Sequence, residues 1–352
     1  MDTKSEPGRR LAIDECLDEK NDGQVMETTG IKVSVVIPTK NGGSRFQAVL
    51  NAVLEQQTDW PFEVIVIDSG SRDDTLAIAR ANPTVRLMEV EPTDFQHGRT
   101  RNTAIQSAKG EYIAMITQDA QPVADNWLRC LVREIEADEQ VAGVFGRHIA
   151  YDDASLFTRD ELVQHFAGFQ AQPKVQLDDQ DRYRTDDGYR QFLYFFSDNN
   201  ALLRRSIWEQ HPYPEVDFSE DQAWARIIIE AGYKKSYSHG AVVYHSHNYG
   251  LWERFQRSFD ESMALNELFH YDQSTSLLVL LRSWVGLTLR DLRSVRQNLS
   301  KEGWKLLIPT LRMPIDNFMR VSGSWLGVHA GFRSPALIAF CSRDKKLKQV
   351  KR

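Results

Sequence analysis

The 352-residue chain is poor in the features that mark several large protein classes. Its three cysteines, Cys16, Cys130 and Cys341, lie far apart and form no C-x-x-C pair. That argues against a disulfide framework or a zinc cluster and fits a reducing compartment. Long apolar runs are missing: none reaches the roughly 18 residues of a membrane span. The best candidate, "SLLVLL", meets Arg282 at once. No cationic start followed by an apolar core opens the chain, so no secretory leader is expected. Positive charge is not in excess, since the formal net charge is −6, and nucleic acid is not an expected partner. Nor is there a G-x-G-x-x-G after the first strand, a G-x-x-x-x-G-K-[ST] loop or a G-x-S-x-G elbow. Dinucleotide oxidoreductases and P-loop NTPases are argued against on those grounds, and no covalent nucleophile is evident.

What is present reads as a globular protein, with 41% hydrophobic and 26% charged residues, long enough for an elaborated domain or two domains. Residues 1–30 are polar and charge-mixed, a loosely ordered leader. From "IKVSVVIP" onward, β-branched apolar runs alternate with amphipathic segments: "FEVIVID", "VRLMEV", "YIAMI" and "VAGVFG" as strands, "SRFQAVLNAVLEQQ", "DDTLAIARAN", "GRTRNTAIQSAKG" and "ADNWLRCLVREIEAD" as helices. Asp125 is the expected cap of the last of these. The alternation predicts an α/β fold, a mostly parallel sheet with helices on both faces, whose ligands sit beyond the carboxyl ends of the strands. The charged segment from about 150 to 192 reads as a mobile loop. Helical, aromatic text follows residue 250, most simply a packed core, and "RDKKLKQVKR" ends the chain as a basic tail. The division expected is a leader over 1–30, a nucleotide-type domain over 31–250, a helical region over 251–342 and a tail over 343–352.

Strand ends carry the polar groups. "VVIPTKNGG" places Pro38, Thr39 and Asn41 after the first strand, and "IVIDSGSRDDT" places Asp68, Ser69 and Ser71 after the next. A carboxylate and small hydroxyls there can hydrogen-bond a base and ribose, although turns use the same residues. With no glycine-rich phosphate loop, a divalent cation on one or two carboxylates is the natural diphosphate holder. Asp119, in "TQDAQP" just past a buried strand, suits that role. "SEDQAW" puts Glu220 and Asp221 in the first turn of a helix, where anions are favoured and where a plain acidic helix start is the simpler reading. His245 and His247 in "HSH" share one face of an extended segment. His97, Arg99 and Asn102 in "HGRTRN" offer donors for phosphate or sugar, with Arg101 read as a solvated basic turn.

Taken together, "VSVVIPTKN", "EVIVIDSGSRDDT", "GRTRNTAI", "AMITQDAQP" and "SEDQAWA" resemble, in order and spacing, a family 2 glycosyltransferase with the GT-A fold over residues 31–250. "FQHGRTRN", "SDNNALLRRSIWEQHPYPE" and "VVYHSHNY" narrow the likeness to bacterial rhamnosyltransferases. Where much of the family has D-x-D, this chain has Thr117-Gln118-Asp119. The resemblance implies an inverting, metal-dependent transfer, with L-rhamnose from dTDP-L-rhamnose as donor and a growing polysaccharide or lipid-linked glycan as acceptor. It implies Asp221 as general base and Asp119 as ligand to Mg2+ or Mn2+. His247, ahead of His245, is the expected added metal ligand. Gln118, Glu220 and Trp224 join the substrate contacts. A nucleotidyltransferase and a non-catalytic glycan-binding protein are the alternatives. A cytoplasmic location is expected, and Trp252, Phe255, Trp284, Trp304 and Trp325 of the C-terminal helices, with the basic tail, could rest on the inner membrane face.

Overall fold

The computed structural model describes residues 30–216, 218–271, 276–329 and 334–343. The leader before residue 30 and the tail beyond 343 lie outside these. The chain divides into two compact units, residues 1–151 with 164–245, and residues 152–163 with 246–352.

The first unit is built on a sheet of nine strands among the described residues, ordered β3-β2-β1-β4-β8-β6-β9-β5, with β7 paired to β9. Strands β1 (Val33–Thr39), β2 (Phe62–Asp68), β3 (Val85–Glu89) and β4 (Tyr112–Ile116) lie parallel. Their β-branched runs suit burial on both faces: Val33, Val35, Val36 and Ile37 are fully buried. Helices α1 (Gly43–Leu54), α2 (Thr75–Arg80), α3 (His97–Ser107) and α4 (Trp127–Glu136) connect and cover them. α1 buries Phe46, Val49, Leu50 and Val53, the i, i+3, i+4, i+7 stripe that its sequence predicts.

The parallel expectation holds throughout this half and in part beyond it. β8 (Asn200–Arg204) runs antiparallel between β4 and β6 (Val141–Ile149). β9 (Lys234–Tyr244) is parallel to β6 but antiparallel to the two-residue β5 (Gln121–Pro122) and to β7 (Lys174–Val175). The sheet is therefore mixed. Alternation of strand and helix in sequence does not by itself fix strand direction once a long insertion separates β6 from β8.

That insertion corrects the mobile-loop expectation. It folds as α5 (Leu156–Ala171), α6 (Gln180–Thr185) and α7 (Asp187–Tyr194). Its acidic residues act as caps: Asp179 accepts from the amides of Asp181 and Arg182, and Asp186 from that of Tyr189. Asp125 is not the cap of α4. Asn126 holds that position and makes no side-chain cap bond, while the Asp125 carbonyl accepts from Gln57. α8 (Arg205–Gln210) and α9 (Glu220–Glu230) complete the unit.

The second unit consists of α10 (Leu251–Phe269), α11 (Leu277–Glu302), a 3-10 turn at Gly303–Leu306, α12 (Leu307–Val328) and α13 (Pro335–Cys341), together with residues 152–163. α12 packs closely along α10. A Cβ on Gly323 would stand 2.3 Å from the Phe255 carbonyl oxygen, and one on Gly327 2.5 Å from that of Phe259, so only glycine allows the approach. No helix among the described residues is long and apolar enough to cross a membrane.

Candidate active site

The parallel strands β1, β2 and β4 end at one edge of the sheet, and β1 is where strand order reverses, the usual place for a ligand crevice. The loops there are cross-braced. Asp68, fully buried, accepts from four donors: the amides of Gly70 and Ser71 and the hydroxyls of Thr39 and Ser71. The Ser69 hydroxyl donates to the Thr39 carbonyl. Asn41, at positive φ, accepts through its side chain from the Arg72 amide and donates its own amide to Ser71. The Lys40 ammonium donates to the carbonyls of Ser69 and Gly70. Gln118 clamps the β1 loop to the β4 loop, its Oε1 accepting from the Lys40 amide at 2.8 Å and its Nε2 donating to the Lys40 carbonyl at 3.1 Å. Gly42 lies under that clamp, where a Cβ would come within 2.8 Å of Gln118 Oε1. Thr39, Asp68, Ser69, Ser71 and Gln118 thus brace the loops at these strand ends, with Pro38 within β1 itself.

β5 makes the second feature. Its antiparallel pairing of Gln121 with Tyr244 brings the end of β9 beside the turn that follows β4. Asp119 Oδ1 and His245 Nε2 stand 3.8 Å apart. Ligand atoms of Asp119, His245 and His247 all lie within 4.8 Å of one another. Two ligands on one ion, at bonds of roughly 2.1 Å, stand at most about 4.2 Å apart, so a small side-chain adjustment closes the set. One carboxylate oxygen with two imidazole nitrogens is a donor set that a divalent transition ion such as Mn2+ accepts more readily than the oxygen-seeking Mg2+. Both histidines are in the cluster, so the pair expected from sequence is not reduced to one. Tyr151 supports the turn from behind, donating to the Asp119 carbonyl at 3.1 Å, and the Arg45 guanidinium lies 3.9 Å from the Tyr151 ring centre.

The third feature is a buried charge network at the same edge. β8 pairs Asn200 with Ile116, so Asp198, two residues before Asn200, comes where the chain leaves β4 toward Asp119. Asp198 is 2% exposed, and Arg101 reaches it from α3 with Nε 3.0 Å from Oδ2. Arg101 Nη1 lies 2.5 Å from Glu220 Oε1. Tyr213 donates to Asp198 Oδ1 at 2.6 Å. Asp221 is half-buried and accepts from the amides of Asp198 at 3.3 Å and Gln222 at 2.8 Å.

Three carboxylates surround one guanidinium, and the titration of Asp198 and Asp221 follows from that imbalance. Loss of water, then the charges of Asp198 and Glu220, push the Asp221 carboxyl well above its ordinary range. Burial raises Asp198 to about 6 against the pull of Arg101. Burial would lower the Arg101 value, but Glu220 and Asp198 outweigh it and hold the guanidinium charged. Tyr213 is raised by burial and by Asp198.

Several expected contacts take other roles. Arg101 is no solvated turn: it is 6% exposed on the buried face of α3. Gly98, Arg101 and Ile105 fall at i, i+3, i+7 on that face, a signal that helical periodicity carries. Asn102 is engaged within the chain, accepting from Trp208 Nε1 and the Tyr213 amide and donating to the Tyr213 carbonyl. Trp224 is fully buried with its indole N–H on the His211 carbonyl, a core residue rather than a substrate contact. Arg99 pairs with exposed Glu215 at 2.6 Å. His97 Nδ1 stands 3.9 Å from Glu220 Oε1, beside the network. Asp198 and Tyr213 escaped the sequence reading, because nothing in "FFSDNN" distinguishes a buried ion pair from a polar turn before a strand.

Comparison with known proteins was informative. The family described as Glycosyl transferase family 2 matches residues 34–211. The chain is 36% identical over 234 residues to the O-antigen chain rhamnosyltransferase RfbN of Salmonella typhimurium, covering 65% of this chain and 71% of that protein. It is 34% identical over 231 residues to the O-antigen chain rhamnosyltransferase WbaN of Salmonella anatum, covering 64% and 70%. Among solved structures, a mannosyltransferase from Pyrobaculum calidifontis, in complex with GDP-Man and Mn2+, superposes with a TM-score of 0.53 at 18% identity, over 91% of this chain and 92% of that one. That likeness is one of fold, and the fold is GT-A-like.

Proposed function

Since the chain belongs to glycosyl transferase family 2, we propose that it moves L-rhamnose from dTDP-L-rhamnose to a hydroxyl of a growing cell-surface or lipid-linked glycan, with inversion at the anomeric carbon. The rhamnosyltransferase relatives support the donor sugar. The observation that carries the reading is the coincidence, at one sheet edge, of the Asp119–His245–His247 cluster and an Asp221 carboxyl with a raised pKa.

The braced β1, β2 and β4 loops receive the nucleotide. Asp119, His245 and His247 would hold a divalent cation, which when bound neutralises charge gathering on the departing diphosphate. Arg45, held over Tyr151 behind the Asp119 turn, adds positive charge on the same side. Asp221 accepts the proton of the acceptor hydroxyl as its oxygen bonds to the anomeric carbon. In that displacement the bond from the anomeric carbon to the diphosphate oxygen breaks, and dTDP leaves with its electron pair. A carboxylate in water is a weak base; its raised pKa here brings Asp221 toward the operating pH, where general-base catalysis is most effective. Arg101 lies against both Glu220 and Asp198, whose charges help to lift Asp221. His97 and Glu220 line the approach for sugar or acceptor.

A panel of nucleotide sugars with Mg2+ or Mn2+, read by thermal shift and by nucleoside diphosphate release, tests the reading. Selective stabilisation by dTDP-L-rhamnose and release of dTDP are expected. Preference for another donor would overturn the sugar assignment, and release of pyrophosphate from a nucleoside triphosphate would overturn the reaction class.

A further inference from the structure

The second unit has its polarity reversed. Among the described residues, 14 of the 17 large hydrophobic side chains that are exposed fall between Leu277 and Phe318. Its buried positions meanwhile include Gln256, Asp260, Asp291, Ser294 and Asn317. Asp291 accepts from Asn317 at 2.9 Å, and the Trp284 indole donates to the Pro314 carbonyl at 2.8 Å, so polar bonds fill the interior of the α11–α12 pair. Leucines face outward instead. On α11, Leu278, Leu281, Val285, Leu289 and Leu292 recur every three or four residues on one exposed stripe. Across the 3-10 turn and α12, Trp304, Ile308, Leu311, Ile315 and Phe318 do the same, with Trp304 84% exposed. A helix in water buries its apolar stripe, and a continuous exposed one marks an interaction surface.

The charges on this face identify the partner. Between residues 277 and 318 the exposed charged side chains are all basic, among them Arg282, Arg293, Arg296, Lys301 and Lys305. The three acids of the stretch are not exposed: Asp291 is buried, while Glu302 pairs with Arg159 and Asp316 with Arg312. This basic face belongs to a chain whose net charge is −6. A second copy of the chain, docked face to face, would set arginine against arginine. An apolar stripe flanked by Arg and Lys is instead complementary to the acyl boundary and anionic headgroups of a bilayer. With no described helix able to cross a membrane, the contact lies in the plane of the surface. We infer that the exposed stripes of α11 and α12 seat the protein on an anionic lipid surface. Among the aromatic residues expected from sequence to make such a contact, Trp304 and Trp252 are exposed, whereas Phe255, Trp284 and Trp325 are half-buried.

The test is co-sedimentation of the full chain with vesicles of pure phosphatidylcholine or of phosphatidylcholine with about 30% phosphatidylglycerol. Partition at least about tenfold stronger onto the anionic vesicles, lost in high salt, is expected. The double variant Leu281→Asp, Ile308→Asp should lose about tenfold or more in partition while keeping its far-ultraviolet circular dichroism. Arg293→Glu with Arg296→Glu should abolish the preference for anionic lipid, which keeps the proposal testable if the first variant folds poorly. Donor hydrolysis in solution by both variants should match that of the parent, so this inference and the reaction reading fail independently. Equal binding to both vesicles, binding to neither, or a soluble dimer that Leu281→Asp, Ile308→Asp dissociates would each overturn it.

Discussion

The amide of Asp198 donates to Oδ2 of Asp221 across 3.3 Å, tying the start of α9 to the start of β8. Because β8 runs antiparallel to β4, that bond fixes the helix start at the edge where the chain leaves β4 toward Asp119. Asp119 and Asp221, about a hundred residues apart in sequence, are thereby joined to one edge by strand register.

Gln222 donates to Oδ1 of Asp221 and Asp198 to Oδ2, so Asp221→Asn keeps an acceptor for only one of the two amides and removes the base. Turnover should fall by about 10²–10⁴-fold, while dTDP affinity measured by calorimetry stays within about twofold. In the parent, kcat/KM should rise with pH along a limb displaced above the ordinary carboxylate range, as the raised Asp221 value requires. Near-normal turnover by the variant would remove Asp221 from its role.

The same shift has a sign in stability. A carboxyl whose folded value lies above its unfolded one contributes its stability below the unfolded value, ordinarily 3.8, and loses it as pH rises through the folded value. Asp221→Asn should therefore melt above the parent at neutral and mildly alkaline pH. The two melting curves should converge below about pH 4. Each kcal/mol of relieved repulsion corresponds to about 2–4 °C for a domain of this size. Differential scanning calorimetry across that pH range reads the effect.

Arg101 is the counter-charge on which the network depends. Arg101→Met leaves Asp198 and Glu220 buried without it, and breaking a buried pair from one side typically costs about 3–5 kcal/mol. Denaturant unfolding at pH 7 should show that order of loss. At pH 4 the penalty should shrink, because the stranded carboxyls take up protons. An exposed pair such as Arg99 with Glu215 is screened by water and should cost far less when broken, which makes Arg99→Met the control.

The contrast between those arginines shows how far the sequence could be read. Strands β2 and β4 coincide with "FEVIVID" and "YIAMI" because each apolar run is stopped by turn residues. Asp119 and the two histidines were legible as strand-end donors, although their meeting depends on a two-residue strand, β5, too short to leave a pattern. Arg101 and Asp198 were not recognised, since charge suggests solvent and only tertiary packing reveals a buried pair. The insertion between β6 and β8 was misjudged for a related reason: its acids cap helices rather than repel one another. The C-terminal helices went the other way, with apolar side chains assigned to a core and found exposed.

A metal titration separates ligands from neighbours. Asp119→Ala, His245→Ala and His247→Ala should each weaken Mn2+ binding at least about tenfold, read by electron paramagnetic resonance without any substrate turnover. His148, buried with its ring centre 5.3 Å from that of His245, is outside the ligand cluster and serves as the comparison. His148→Phe should alter Mn2+ affinity less than any of the three. Three variants that bind Mn2+ like the parent would dissolve the proposed centre.

Gln118 stands where its sequence position suggests a substrate contact, yet both ends of its amide are spent on Lys40. A brace and a direct contact predict different outcomes. Losing a brace of two hydrogen bonds should lower stability by about 1–3 kcal/mol even without ligand, and should loosen the β1 loop for every nucleotide alike. Losing a direct contact should leave the unliganded protein unchanged and discriminate among donors. Gln118→Ala should follow the first pattern: a lower melting temperature in the free protein, with dTDP, UDP and GDP affinities reduced by similar factors. An unchanged free-protein melt with a loss confined to one nucleotide would return Gln118 to the substrate side of the site.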